Sequence, residues 1–214
     1  LQKDLAMRTV TVFYSLIVLT MTAVVGWAQD APKYTPAEEQ AIASLKKLGG
    51  LVLEIAQNDP RLDISLHLAD VKITDAELAP VKELSKTAHL NLRGTEVTDA
   101  GLAALKDLKG LVKLHLEKTK VTDAGLEQLK GLENLEYLNL YGTAVTDAGL
   151  KQLSGLKKLK HLYLWETQVT DAGVAALKAE IPEVKIVRGL ELAKPEEKKE
   201  EPKPEEKKPE EKKD

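Results

Sequence analysis

One phrase returns through the middle of the chain at a fixed interval: ITDAEL at Ile73, VTDAGL at Val97, Val121 and Val145, and VTDAGV at Val169, 24 residues apart each time. A second pattern keeps step with it, in the apolar-x-apolar pairs Leu66/Leu68, Leu90/Leu92, Leu114/Leu116, Leu138/Leu140 and Leu162/Leu164. A unit this short cannot enclose its own leucines. Units must therefore stack and bury a shared column, which is the mark of a solenoid of strand-plus-helix repeats. The single Phe of the chain, Phe13, lies outside the repeats, so that column is aliphatic.

Within a unit the strand alternation sends Leu90 and Leu92 inward and His89, Asn91 and Arg93 outward. After a turn, Thr98 is placed to cap a short helix by accepting from the N–H of Gly101, with Asp99 as negative charge at the positive helix end. Leu102 and Leu105 then face the core, and Gly110 closes the helix. A helical crossover between successive strands makes them parallel. The expected fold is α/β: a curved parallel β-sheet on the concave side and helices on the convex side.

Upstream, Thr35-Pro36-Ala37-Glu38 forms a capping box with Pro at the first helical position, and Ala41, Ile42, Leu45 and Leu48 give that helix an apolar face ended by Gly49-Gly50. Leu51 to Gln57 and Leu62 to Leu68 flank the turn-rich Asn58-Asp59-Pro60-Arg61 and predict a β-hairpin whose second arm, ending in Leu66-His67-Leu68, is the first solenoid strand. Helix and hairpin would cover the open end of the leucine column. At the other end the pattern decays, with Pro182 closing a helix and Val184 to Arg188 offering a last strand.

The pattern LxxLxLxxTxVTDAGLxxL, running from about Ile64 to Arg188, resembles the leucine-rich repeat family, in particular the TDAGL variety of bacterial exported proteins. It is also similar in fold to the cysteine-containing repeats of F-box adaptors, without their cysteines or F-box helices. The resemblance implies binding of a protein or peptide by the concave sheet. It also implies an Asn after each strand that ties adjacent turns together. Thr95, Thr119, Thr143 and Thr167 stand there instead, and a threonine ladder between neighbouring turns is expected, with Val71 departing from it in the first unit.

Four segments are expected: residues 1–28 as a signal peptide or N-terminal anchor, 29–62 as a cap, 63–189 as the repeat domain and 190–214 as a disordered Lys/Glu/Pro tail. Met7-Arg8 followed by the uncharged Thr9 to Ala28 has the basic start, apolar middle and small-residue end of a secretory leader, which predicts export. A membrane association is expected only if that leader is retained. The chain has no Cys and so no disulfide framework. A formal net charge of −3 gives no electrostatic argument for nucleic acid.

The side chains turned away from the core carry the functional reading. They are His67, His89, Asn91, Arg93, Lys113, His115, Glu117, Tyr137, Asn139, Tyr141, His161, Tyr163 and Trp165, and they include all four histidines of the chain. Early strands are cationic or titratable and later strands aromatic. Exposed Tyr, Trp and Arg are the usual material of binding hot spots. The expected function is non-catalytic binding of a protein or peptide by a monomer, with an apolar anchor over Tyr141, Tyr163 and Trp165, a polar or anionic end near Arg93 and Lys113, and no cofactor. A structural component of a cell envelope, held by leader or tail, is the alternative.

Two chemical readings compete with it. His67 and His115, in one column two strands apart with His89 diagonally between them, are a candidate metal site. Ser65 beside His89, with Asp63 on the same strand, suggests a hydrolase but lacks a nucleophile elbow or an oxyanion hole. The aspartates of the repeated phrase, Asp99, Asp123, Asp147 and Asp171, read as helix-start residues rather than catalytic ones.

Overall fold

A computed structural model describes residues 33–189, so the leader and tail lie outside the described residues. Helix α1 (Pro36–Lys47) opens with the expected capping box: the Thr35 hydroxyl accepts from the Glu38 N–H, and the Glu38 carboxylate accepts from the Thr35 N–H at 2.8 Å. Gly49, with φ of 84°, ends it in the left-handed turn that glycine adopts without cost. β1 (Leu51–Ala56) and β2 (Asp59–Ser65) form an antiparallel hairpin. Its turn is tighter than expected, because Asp59 and Pro60 already belong to β2.

Five units follow. Helix α2 (Asp75–Leu78) leads to β3 (Thr87–Asn91), α3 (Asp99–Leu102) to β4 (Lys113–His115), and α4 (Asp123–Leu126) to β5 (Tyr137–Asn139). Then α5 (Asp147–Gln152) leads to β6 (His161–Tyr163), and α6 (Asp171–Glu180) to β7 (Lys185–Val187). The sheet runs in chain order from β1 to β7, and every pair after the hairpin is parallel. Strands sit about 4.8 Å apart while helices are about 10 Å across. The wider helices must occupy the outer arc, so the sheet lines the inner, concave one.

Leu90, Leu114, Leu138 and Leu162 lie in register across neighbouring strands and are fully buried, as are Leu92, Leu116 and Leu140. They continue through Leu102, Leu105 and their equivalents into one aliphatic core, closed at the start by Ala41, Leu45 and Val52. No helix among the described residues is long and apolar enough to cross a membrane.

The first unit departs from the expected register. Ile64 and Leu66, not Leu66 and Leu68, occupy the inward positions, because β2 slips against β3: Leu62 pairs with Thr87, but Asp63 with His89. The spacing from Leu66 to Ile73 is two residues longer than from Leu92 to Val97; the Ala69 N–H closes on the Leu66 carbonyl as Thr95 does on Leu92, so the surplus falls after Ala69, and His67, Leu68 and Val71 are exposed. The extra residues precede Ile73, the first copy of the phrase, so a count of phrases does not register the insertion.

The threonines after the strands also behave differently from expectation. Thr95, Thr119, Thr143 and Thr167 donate their hydroxyls to Leu92, Leu116, Leu140 and Leu164, the carbonyls three residues back in the same unit, at 2.7–2.8 Å. They close their own turns and tie nothing to the neighbouring unit. That task falls to the aspartates, and the reading of these as mere helix-start charges is too narrow. Asp75, Asp99, Asp123 and Asp147 each reach forward to the threonine that begins the next helix, namely Thr98, Thr122, Thr146 and Thr170. The carboxylate accepts the threonine N–H at 2.7–2.8 Å. It accepts the hydroxyl at 2.6 Å. The hydroxyl in turn accepts from Ala100, Ala124 and Ala148 N–H groups, two residues on, rather than from the glycine as expected; only Thr170 uses Gly173.

Candidate functional site

The strand register sorts the outward side chains into rows across the concave face. One row runs Asp63, His89, Lys113, Tyr137, His161 and Lys185; a second runs Ser65, Asn91, His115, Asn139, Tyr163 and Val187. Just past the strand ends, backbone bonds carry the stacking onward: Gly94 N–H to the Glu117 carbonyl, Lys118 to Tyr141 and Gly142 to Trp165. Arg93, Glu117, Tyr141 and Trp165 therefore make a third row. All the predicted concave residues except His67 lie in these rows, and His67 sits just past β2, in the turn equivalent to that of Arg93, lining a shallow cleft shared with Arg93.

Aromatic groups gather toward the later strands. The His115 and Tyr137 rings lie 4.7 Å apart, Tyr137 and Tyr163 5.2 Å, and Tyr141 stacks on Trp165 at 5.4 Å. Trp165 is 51% exposed although its neighbours in the chain, Leu164 and Leu162, are buried, so its indole is held against Tyr141 with one side open to solvent. Lys118 holds the left-handed backbone conformation, φ 54°, at a turn where the equivalent residues are Gly94 and Gly142. Its ammonium stands 5.3 Å from the centre of the Tyr141 ring, within reach of a cation–π attraction. Burial pushes the Tyr137 hydroxyl above its ordinary pKa, so it serves as a neutral hydrogen-bonding group.

The middle of the face is polar and internally bonded. His89 donates from Nδ1 to Asp63 at 3.0 Å, and His115 donates from Nδ1 to Glu117 at 2.8 Å. Glu117 Oε1 also accepts from the Asn139 amide at 2.7 Å, while its other oxygen is buried without a hydrogen-bond partner among the described residues. These carboxylates orient the imidazoles and are already engaged. A shallow depression lined by Asp63, Ser65, His89, Asn91, Lys113 and His115 lies between the hairpin and β4.

That geometry disposes of the proposed histidine column. His67 is neither in the row of His115, where Ser65 stands, nor on a strand, because the register of β2 against β3 pairs Ser65 with Asn91 and leaves His67 past the strand end. Among the described residues no cluster of His, Cys, Asp and Glu is arranged to hold a metal ion. The Asp63–His89 bond is real, but Ser65 sits opposite Asn91 and no hydrogen bond among the described residues joins it to His89.

Sequence reasoning missed two side chains on this face. Leu51 is paired with Ser65 and Leu53 with Asp63, so both project from the outer hairpin strand onto the concave side, 44% and 53% exposed. The signal lies in the alternation of β1, whose Val52 alone is buried, while a strand expected to cap the core is read by its inward face.

Residues 109–169 match a family model described as leucine rich repeat, and residues 89–106 match a second model of the same description. This is a leucine-rich repeat protein. Among solved structures the leucine-rich repeat chain is similar to an internalin C2 from Listeria monocytogenes, at 28% identity over 51% of this chain and 44% of that one, with a TM-score of 0.44. It is similar to a second internalin from the same organism, at 26% identity over 54% of this chain and 32% of that one, with a TM-score of 0.46. A leucine-rich repeat protein of Leptospira interrogans aligns at 19% identity over 50% of this chain and 33% of that one, with a TM-score of 0.38. The chain spans less than half the length of each of these proteins. No curated protein matches it.

Proposed function

We propose that this leucine-rich repeat protein binds a protein or peptide on its concave sheet and performs no chemistry, with Tyr141, Tyr163 and Trp165 as the apolar anchor and Arg93 and Lys113 as the polar end. The observation that carries the reading is the open Tyr141–Trp165 stack: a large aromatic held rigid and half-exposed loses little conformational freedom when a partner covers it. His89, Asn91, His115, Glu117, Tyr137, Asn139 and His161 complete the surface between anchor and polar end. Engagement of Asp63 and Glu117 by the histidines supports an ordering role for these groups rather than a catalytic one. The leader spanning Met7 to Ala28 supports export to the periplasm, cell surface or medium, where the protein acts as a monomer.

The test is a comparison of the intact chain with Trp165→Ala and Tyr163→Ala in capture of partner from native extract. The expected outcome is loss of the captured partner, by about 2 kcal/mol or roughly thirtyfold in affinity for a hot-spot aromatic, with an unchanged circular dichroism spectrum. Equal capture by both forms removes the concave face from consideration.

A further inference from the structure

We infer that the concave face carries a second anchor, Leu51 and Leu53 on β1, and that the two anchors together take an extended acidic peptide bearing one apolar residue near each end. This rests on the concave reading above and deepens it. The antiparallel register sets Leu51 beside Ser65 and Leu53 beside Asp63, so Leu51 continues the row that ends in Tyr163 and Val187 on the far side, and Leu53 the row that runs through Tyr137 to His161 and Lys185. A cap strand needs its inward Val52 to close the core, but its outward leucines remain about half exposed among the described residues. The face is thus apolar at both ends and polar between them.

Spacing fixes the length of the occupant. From β1 to β6 there are five strand intervals of about 4.8 Å, roughly 24 Å in all. An extended chain advances about 3.4 Å per residue, so about seven residues bridge the anchors when the peptide lies across the strands. Charge fixes its composition. Arg93, Lys113 and Lys118 are exposed, and none forms an ion pair among the described residues. The carboxylates in the three rows, Asp63 and Glu117, are hydrogen-bonded to His89 and His115, and Glu117 is buried. The charge that the middle of the face turns to solvent is therefore mainly that of the Arg93 and Lys113 cations, which complements acidic residues in the peptide.

The probe is a fluorescein-labelled peptide with leucine at one end, tryptophan at the other and seven alternating Asp, Ser and Glu residues between, titrated with the full chain by anisotropy. Three controls accompany it: a peptide with only three residues between the ends, one with the leucine replaced by serine, and one with lysine for every acidic residue. The two-anchor peptide should bind about tenfold or more tighter than each control, as expected for one extra buried leucine. Leu51→Thr combined with Leu53→Thr, which keeps β propensity on an exposed strand, should remove that advantage and leave the serine control unaffected. Equal binding of long and short peptides, or indifference to the threonine pair, overturns the inference. Sensitivity to Trp165→Ala together with that indifference leaves the concave reading standing, whereas indifference to both variants removes both. A dimer in sedimentation that the threonine pair dissociates assigns the leucines to a second copy of the chain and likewise overturns it.

Discussion

In the phrase Thr-Asp-Ala-Gly, each polar or small residue answers to another repeat. Asp99 reaches the backbone and hydroxyl of Thr122, and Gly125 lies beneath its carboxylate, where a Cβ would collide with Oδ1 of Asp99. Glycine is required there by close approach, not by its backbone angles. Gly125→Ala is therefore expected to destabilise the protein by about 1–3 kcal/mol in urea unfolding, as overpacking does. Asp99→Ala in the same chain should cost less than it does alone, because the clash and the bond it breaks involve one carboxylate. Gly155, with open space around it, is the control, and its change to Ala should be neutral or slightly stabilising.

At the level of elements, the ends of the solenoid show what the repeat does by what replaces it. The first unit reads ITDAEL because α2 has no preceding aspartate to receive. Glu77 stands where later units have glycine, and its carboxylate accepts from both the N–H and the hydroxyl of Thr74, at 3.0 and 2.5 Å. Those bonds, the hydroxyl's first, hold the Glu77 carboxyl below its ordinary pKa. At the other end Asp171 has no following threonine and accepts instead from the Arg188 guanidinium. Glu77→Gly, which restores the common phrase, should lower the melting temperature by a few degrees, because it leaves two donors of Thr74 without their partner. An unchanged melting temperature would show that water serves Thr74 as well.

For the whole molecule, the aspartate ladder joins unit to unit, and acid should loosen its Asp147–Thr170 link. The Thr170 hydroxyl and N–H hold the Asp147 carboxyl below its ordinary value of 3.8. Lys72 and Lys120 do the same for Glu96, which links three successive turns. A carboxyl whose folded pKa is depressed contributes stability in full above its unfolded pKa and loses it as pH falls through the folded one. Melting temperature should therefore hold between neutrality and about pH 5 and drop below about pH 4, and Asp147→Asn should flatten that drop. A profile equally steep in the variant would place the acid sensitivity elsewhere. Stacking, parallel strands, the aliphatic column and the outward rows from His89 to Trp165 were all legible in the sequence, since a fixed period and strand alternation are local rules. The displacement of His67, the direction of the Asp–Thr bonds and the arrival of Leu51 and Leu53 beside Ser65 and Asp63 were not. Each depends on which residue faces which across a gap of 10 to 26 positions in the chain, and only the settled register between neighbouring strands and turns decides that.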